Sequence, residues 1–418
     1  MFDLDKWKEI WATLKANPLR TALTAFGVFW GVVMLMAMLA FGSSMQTGMA
    51  RQVKGMATNL LFIWGGQASE AYDGLPPGRE VRFSTDDIPH LRRLPAIEHL
   101  APRIQLGGWM NNFKVRRNSR NGTFTVMGDY PEFAKIVAFQ YDAGRFINEL
   151  DVQQGRKVAV IGDAVRTLLF GPDEDPIGQH IEISGIFFQV VGVTHTLRGG
   201  PMGNRDRETV WVPFTTMRAS FNTGERVGFF ALTAKPGFDG PELERQVRGV
   251  LADRHRVAPT DRLAMGSFNM FVEFAKFDTF MLVLVLMSWV VGGATLMAGV
   301  VGVSNIMLIT VKERTKEIGV RKALGAPPLS IVTMVMKESV ALTLIAGLVG
   351  VSAGVGIMAF FDYLLTNVVT DLPFGPPNVG FSTVLTAVGV LVAAGGLAGI
   401  MPASHAASIK PIEALRAE

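Results

Sequence analysis

The 418 residues include no cysteine. That absence excludes structural disulfides, thiolate zinc sites and a cysteine nucleophile; an oxidising compartment would permit disulfides without requiring them. Nowhere does a glycine precede a lysine, so these residues hold no Walker A loop to cradle nucleotide phosphates. The six histidines (90, 99, 180, 195, 255 and 405) show no paired metal-ligand spacing. No Gly-x-Ser-x-Gly elbow marks a serine nucleophile. Charge is scarce as well, at 18% of residues against the usual quarter. The net charge is only +4, and no basic run with interleaved aromatics points to nucleic acid. No catalytic group and no metal site is therefore expected in this chain.

The scarcity of charge is local. Four apolar stretches alternate with a middle region, about Arg51 to Asp278, of ordinary soluble composition. A helix crosses a bilayer core with about 20 apolar residues. Thr21–Gly42 and Ser339–Phe361 offer 22 and 23 residues without a charge. Thr279–Val311 offers 33, which at about 1.5 Å per residue reaches roughly 50 Å and should protrude from the membrane. Phe381 to about Ser404 closes the set, after the turn-forming Pro373-Phe374-Gly375-Pro376-Pro377. The expected fold class is an α-helical membrane protein of four spans, with an α+β extracytoplasmic domain between spans one and two. A cleaved signal peptide is the competing reading of the first stretch, but its apolar part is too long and starts too late. No span carries an internal charge, which argues against a proton relay or ion path.

Lysine and arginine set the orientation. Lys6, Lys8, Lys15 and Arg20 precede span one; Lys312, Arg314, Lys316, Arg321, Lys322 and Lys337 separate spans two and three; Lys410 and Arg416 follow span four. The loop between spans three and four has only Asp362 and Asp371. Both termini and the second loop are thus expected in the cytoplasm. The segmentation reads as an interfacial amphipathic helix over 1–18, spans over 19–44, 278–311, 337–362 and 381–404, and an extracytoplasmic domain over 45–277. A cytoplasmic helix and loop fills 312–336, a short outside loop 363–380, and a cytoplasmic tail 405–418. In the first segment Leu4, Trp7, Trp11 and Leu14 share one face opposite Asp5, Lys6, Lys8 and Glu9, a pattern suited to the lipid interface.

Within the middle region, Asn59–Trp64 reads as a buried strand, and Phe113–Val126 and Ile181–Val193 as hairpins. Lys157–Gly162 reads as a strand followed by a helix, and Pro241–Asp253 as a late helix. The mixture indicates an α/β or α+β domain, with two lobes as one arrangement. Lys114, Arg116, Arg117 and Arg120 cluster on the first hairpin; a solvated face is the plain reading and an acidic partner or lipid headgroup the functional one. Three spans carry a small-residue spacing, Gly27/Gly31, Gly350/Gly354 and Gly395/Gly399. Such pairs let helices approach closely, within the chain or across a dimer.

The segment Val311-Lys-Glu-Arg-Thr-Lys-Glu-Ile-Gly-Val-Arg-Lys-Ala-Leu-Gly-Ala-Pro-Pro328 is the most informative. It predicts a short helix with an i,i+4 pair between Glu317 and Arg321, a C-cap at Gly325 and a stop at Pro327-Pro328. A positive-inside connector needs only cations, so the mixed charge and firm ends ask for another role. This segment resembles the permease part of MacB-type ABC transporters, within the wider FtsX-like group. Asn17-Pro-Leu-Arg-Thr-Ala-Leu-Thr24, Asp175-Pro-Ile-Gly178, Phe188-Gln-Val-Val-Gly-Val193 and Pro402–Leu415 are similar to the family's opening, periplasmic core and ending.

The resemblance implies a dimer, with a second permease copy or a paralogue, acting with cytoplasmic ABC ATPase subunits that bind ATP and magnesium. ATP-driven closure would move span two and the outside domain, which is mechanotransmission. Glu313, Arg314, Glu317, Arg321 and Lys322 would lie on or near the helix that meets the ATPase. In MacB the ATPase is fused ahead of the permease, so here a separate ATPase subunit is expected. A periplasmic adaptor protein and membrane lipid are further implied partners, and the bacterial cytoplasmic membrane the implied location. A lipoprotein-release permease and an FtsX-type regulator of an outside partner are the alternatives, with a membrane-anchored enzyme well behind.

Overall fold

A computed structural model describes residues 18–108, 111–367, 375 and 381–410. The amphipathic segment expected over 3–15, most of the Pro/Gly-rich turn at 373–377 and the tail beyond Lys410 lie outside the described residues. The chain divides into two units, one formed by 1–48 with 280–418 and the other by 49–279.

The first unit is built from α1 (Pro18–Gln52), α9 (Met270–Glu313), α10 (Thr315–Ala323), α11 (Pro328–Asn367) and α12 (Phe381–Ser408). Four of these are long and apolar enough to cross a membrane. Backbone polar groups in lipid must be satisfied within the segment, which a helix does. The helices outrun the charge-free stretches: α11 begins at Pro328, ahead of Lys337 and Glu338, and α1 continues to Gln52. Absence of charge marks where lipid is, whereas helix ends are set by caps and proline. Pro328 stands in the first turn of α11, where a missing N–H removes no helical bond. Gly375 donates its N–H to the Ser44 carbonyl of α1 at 2.9 Å and accepts a hydrogen bond from the Ser44 hydroxyl.

The second unit is organised by one sheet of eleven strands: β1 (Leu60–Gly65), β2 (Ile97–Gln105), β3 (Phe113–Arg117), β4 (Arg120–Asp129), β5 (Phe139–Gly144), β6 (Val158–Gly162), β7 (His180–Ile183), β8 (Ile186–Thr196), β9 (Thr209–Pro213), β10 (Phe229–Ala234) and β11 (Met265–Asn269). Its two halves differ. One is an open antiparallel run, β11-β1-β10-β2. In the other, β4-β3-β7-β8-β6-β9 closes on itself through a parallel β4–β9 pairing, and β5 adds to β8. Only Ile104↔Gly128 and Gln105↔Met127 join β2 to β4.

Strand β1 explains its own composition. Leu61 and Ile63 enter one core cluster and Leu60 the other. A strand buried on both faces reads as a continuous apolar run rather than an alternating one. Helix α8 (Gly240–His255) packs Leu243, Val247 and Leu251 into the first of these clusters. Its start is fixed by Asp239, whose carboxylate accepts the Glu242 N–H at 2.8 Å.

Several charges of this unit are buried and paired. Arg103 on β2 donates to both carboxylate oxygens of Asp129, at 2.5 and 2.8 Å, and lies 3.5 Å over the Phe133 ring. Burial pushes the Asp129 carboxyl above its ordinary range despite the adjacent guanidinium. Asp87 is fully buried and receives Arg254 at 2.7 Å, the Ser84 N–H at 2.9 Å and a His255 contact at 2.9 Å. Burial alone would raise this carboxyl, but those partners outweigh it and hold Asp87 below the usual carboxylate value. Two of the four cations of the basic hairpin are paired: Arg116 with Glu182, and Arg117 with Glu174 while covering Phe170.

Candidate functional site: the connection between the second and third long helices

Helix α9 ends at Glu313, and one residue later α10 begins. Arg314 stands between them with φ −95° and ψ 13°, outside the helical region. Its guanidinium reaches Glu338 on α11 at 2.9 Å, and both side chains are mostly shielded from solvent. Thr315 turns its hydroxyl back to the Lys312 carbonyl at 2.7 Å. Together these groups hold the corner.

The far end of α10 is closed by backbone geometry. Gly325 has φ +93° and donates to the Lys322 carbonyl at 3.0 Å, while the Ala326 N–H reaches the Arg321 carbonyl at 3.0 Å. This is the paired bonding of a Schellman cap, and the left-handed residue in it is ordinarily glycine. Between the two ends, Ile318 and Gly319 are buried, and Ile318 joins the apolar cluster of the long helices.

The opposite face of α10 is open. Glu313, Lys316 and Glu317 are exposed. Glu317 accepts from Arg321 at 2.7 Å, the i,i+4 pair expected from the spacing. Leu324 is 84%, Leu329 74% and Val320 43% exposed. A short, capped helix with acidic, basic and apolar groups on its free side is suited to receive a protein partner.

Lys322 is placed elsewhere. Its ammonium donates to the Ala407 carbonyl at 2.6 Å and the Ile409 carbonyl at 2.8 Å, at the C-terminal end of α12. Cations suit that end of a helix, where carbonyls are left without intrahelical donors. Of the five charged residues singled out from sequence, Glu313 and Glu317 therefore face outward, Arg321 lies beside Glu317, and Arg314 and Lys322 turn to neighbouring helices. Glu338 was missed. It stands between Lys337 and Ser339, 24 positions after its partner, and only its place just ahead of a charge-free run sets it apart.

The six glycines all lie at close contacts between long helices of this unit. A Cβ on Gly27 would come within 3.5 Å of the Gly299 Cα, and one on Gly31 within 3.2 Å of the Leu296 backbone, both on α9. Gly350 and Gly354 of α11 lie against Phe29, Val32 and Met36 of α1. Gly395 and Gly399 of α12 lie against Val340, Thr343, Met336 and Ser339 of α11. The packing order is α9–α1–α11–α12, one glycine pair to each contact.

Two family descriptions match the chain. The MacB-like periplasmic core domain covers residues 21–250, and the FtsX-like permease C-terminal region covers residues 289–411. The macrolide export ATP-binding/permease protein MacB of Bdellovibrio bacteriovorus is 31% identical over 97% of this chain and 60% of its own length. The pyoverdine export ATP-binding/permease protein PvdT of Pseudomonas putida is 29% identical over 99% of this chain and 60% of its own. The chain thus spans about three fifths of these curated relatives, and their ATP-binding part lies outside the matching region. The crystal structure of the periplasmic region of MacB from Actinobacillus actinomycetemcomitans aligns at 16% identity with a TM-score of 0.44, over 54% of this chain and 95% of that one. With a core-domain match over more than half its length and a permease match beyond it, the chain belongs to the MacB-type permease family, multi-pass membrane proteins with a MacB-like periplasmic core domain and an FtsX-like permease region.

Proposed function

We propose that the chain is the permease of an ATP-driven export machine in the bacterial cytoplasmic membrane, and that its mechanical input is the free face of α10. The orientation follows from the lysines and arginines around the spans, which put both termini and α10 in the cytoplasm. An ABC ATPase on another chain binds ATP and magnesium and docks on Glu313, Glu317, Arg321 and the exposed Val320 and Leu324. Its closure moves the long helices, and through them residues 49–279 in the periplasm. A second permease copy or paralogue supplies the other half, and a periplasmic adaptor carries cargo onward. Relatives named for macrolide and pyoverdine export favour efflux of a small molecule over extraction of lipoproteins.

The observation that carries this reading is the pairing of an exposed, mixed-charge face with a glycine cap at the far end of α10 and an ion-paired corner at its start. A mere connector would need neither. The test is extraction of the tagged protein from its native membrane in mild detergent, with mass spectrometry of what co-purifies and an ATPase assay. A stoichiometric P-loop ATPase is expected, lost on the double reversal Glu317→Arg with Arg321→Glu. Recovery of no ATPase under several gentle extractions would point instead to a regulator of an outside partner.

A further inference from the structure

We infer that the outer end of α1 is seated in the closed part of the sheet, and that Arg198 is the positioning residue of that seat, so that strands β3–β9 move with α1. This rests on the permease reading above and names the part of the periplasmic domain that takes up the motion of α1. The contacts involved lie within residues 49–279.

The last turn of a helix leaves carbonyls without intrahelical donors. At the end of α1 the Arg51 carbonyl receives the Gly199 N–H at 2.9 Å. The chain then turns at Gly55, with φ +82°, a conformation that glycine adopts without steric cost. There the Gly55 carbonyl accepts from the Ala138 N–H at 2.8 Å, and the Ala57 N–H donates to the Ile136 carbonyl at 3.2 Å. Gly199, Ala138 and Ile136 all belong to the chain between β2 and β10, which forms the closed part. Val53, Met56 and Ala57 pack against a cluster containing Phe133, Ile136, Val137 and Trp211 of the same part. Leu60, Ala101 and Ala231 of the open run share that cluster. The seat is thus a second fastening of the closed part, beside its junction with β2.

The loop that meets α1 comes close because it lacks side chains: a Cβ on Gly200 would stand 3.2 Å from the Gln52 Cγ. Arg198 fixes this loop from within. Its side chain is only 7% exposed and pairs with Asp206 of α6 (Gly200–Arg207). A guanidinium nitrogen lies 3.4 Å from the Met56 sulfur. Thr196 donates to the same carboxylate at 3.1 Å and accepts the Arg198 N–H at 3.2 Å. Among the described residues the Arg198 Nε is buried without a hydrogen-bond partner. A buried ion pair is a weak source of stability, and apolar residues of similar volume often serve as well or better. What this pair supplies is position, because charge-assisted bonds fix distance and orientation together.

The chain has no cysteine, so paired spin labels can be placed cleanly in the full protein. Ala50→Cys with Lys114→Cys reports α1 against β3 of the closed part. Ala50→Cys with Lys235→Cys reports α1 against the open run, just beyond β10. All three sites are exposed. Both pairs are measured in lipid nanodiscs with the co-purified ATPase, with and without a non-hydrolysable ATP analogue. In the wild type we expect one narrow α1–β3 maximum that nucleotide does not move; a nucleotide-dependent shift overturns the inference.

Arg198→Ala should abolish that narrow maximum even without nucleotide and leave the α1–open-run distance as in the wild type. Arg198→Lys, which keeps a charged donor, should restore it. Arg198→Met with Asp206→Leu should melt like the wild type and still lose the maximum. An unchanged α1–β3 distribution in Arg198→Ala, or equal broadening of both pairs, overturns the role of Arg198. Failure of the double variant to fold overturns it too, because the pair would then serve stability rather than position. Recovery of no ATPase with the wild-type chain sinks the permease reading instead. The nucleotide-free comparison of wild type with the variants then still decides the seat.

Discussion

The two units of this protein solve the same packing problem with opposite residues. Among the long helices, contact is made where side chains are absent: Gly27, Gly31, Gly350 and Gly395 admit a neighbouring backbone, and Gly354 and Gly399 a neighbouring side chain. In the second unit, contact is made by large side chains such as Trp211, Phe83 and Phe230, with buried ion pairs at Arg103–Asp129 and Asp87–Arg254. Water drives apolar surface together outside the membrane. Lipid tails are as apolar as leucine, so in the bilayer that drive is missing and close van der Waals fit, with interhelical hydrogen bonds, holds helices together. The difference teaches that the same substitution has different consequences in the two units.

The largest expected effect is in the water-facing unit. Removing one partner of a buried pair leaves a charge uncompensated, at about 3–5 kcal/mol. Asp129→Ala should therefore abolish cooperative thermal unfolding of the purified chain as followed by tryptophan fluorescence, through Trp211. A variant that melts like wild type would mean that Arg103 finds water, and the contrast between the units would weaken.

Next come the helix contacts. Gly399→Leu meets Met336 and Ser339, and Gly31→Leu meets the α9 backbone; overpacking of this kind destabilises by roughly 1–3 kcal/mol. Gly293 and Gly389 have open space around them, so leucine there should be tolerated. Detergent-dependent melting of the four variants would separate packing glycines from incidental ones. Equal loss in all four would show that glycine serves the helices in some other way than close approach.

The pH dependence is smaller. Because Asp87 is held below its ordinary value, the stability it contributes is present above the unfolded carboxylate pKa of about 3.9. It is lost as pH falls through the lower folded value. Acid titration of the melting temperature should show this loss, and Asp87→Asn should flatten that part of the curve while lowering stability at neutral pH. The exposed Glu317–Arg321 pair should matter least for stability, at about 0.3–0.5 kcal/mol, whatever it does for a partner.

The contrast also explains what could be read in advance. Hairpins at Phe113–Val126 and Ile181–Val193 were legible because alternation is a local signal, and the strands found are β3–β4 and β7–β8. Ser184-Gly185 marks the second turn, but the first turns at Asn118-Ser119, and the turn-like pair Asn121-Gly122 lies inside β4 opposite Arg116 and Val115. The closure of six strands was not legible, since the parallel pairing of β4 with β9 joins residues about 84 positions apart and leaves no mark on either. Likewise the glycine spacings announced close contacts without saying between which helices. Lys322 and Glu317 look alike on a charge pattern, yet one turns inward to α12 and the other outward.

Sequence alone determined the number of spans, the insertion of a folded domain between the first two, and the capped, mixed-charge helix after the second. Each of these follows from local rules: the thickness of a bilayer, the period of a strand, and the chemistry of a cap. Only the tertiary structure decided which glycine meets which helix, which charges are buried, and which helices α10 is fastened to. Those depend on residues far apart in the chain, brought together by packing, where a donor's partner is chosen by geometry rather than by its neighbours in sequence.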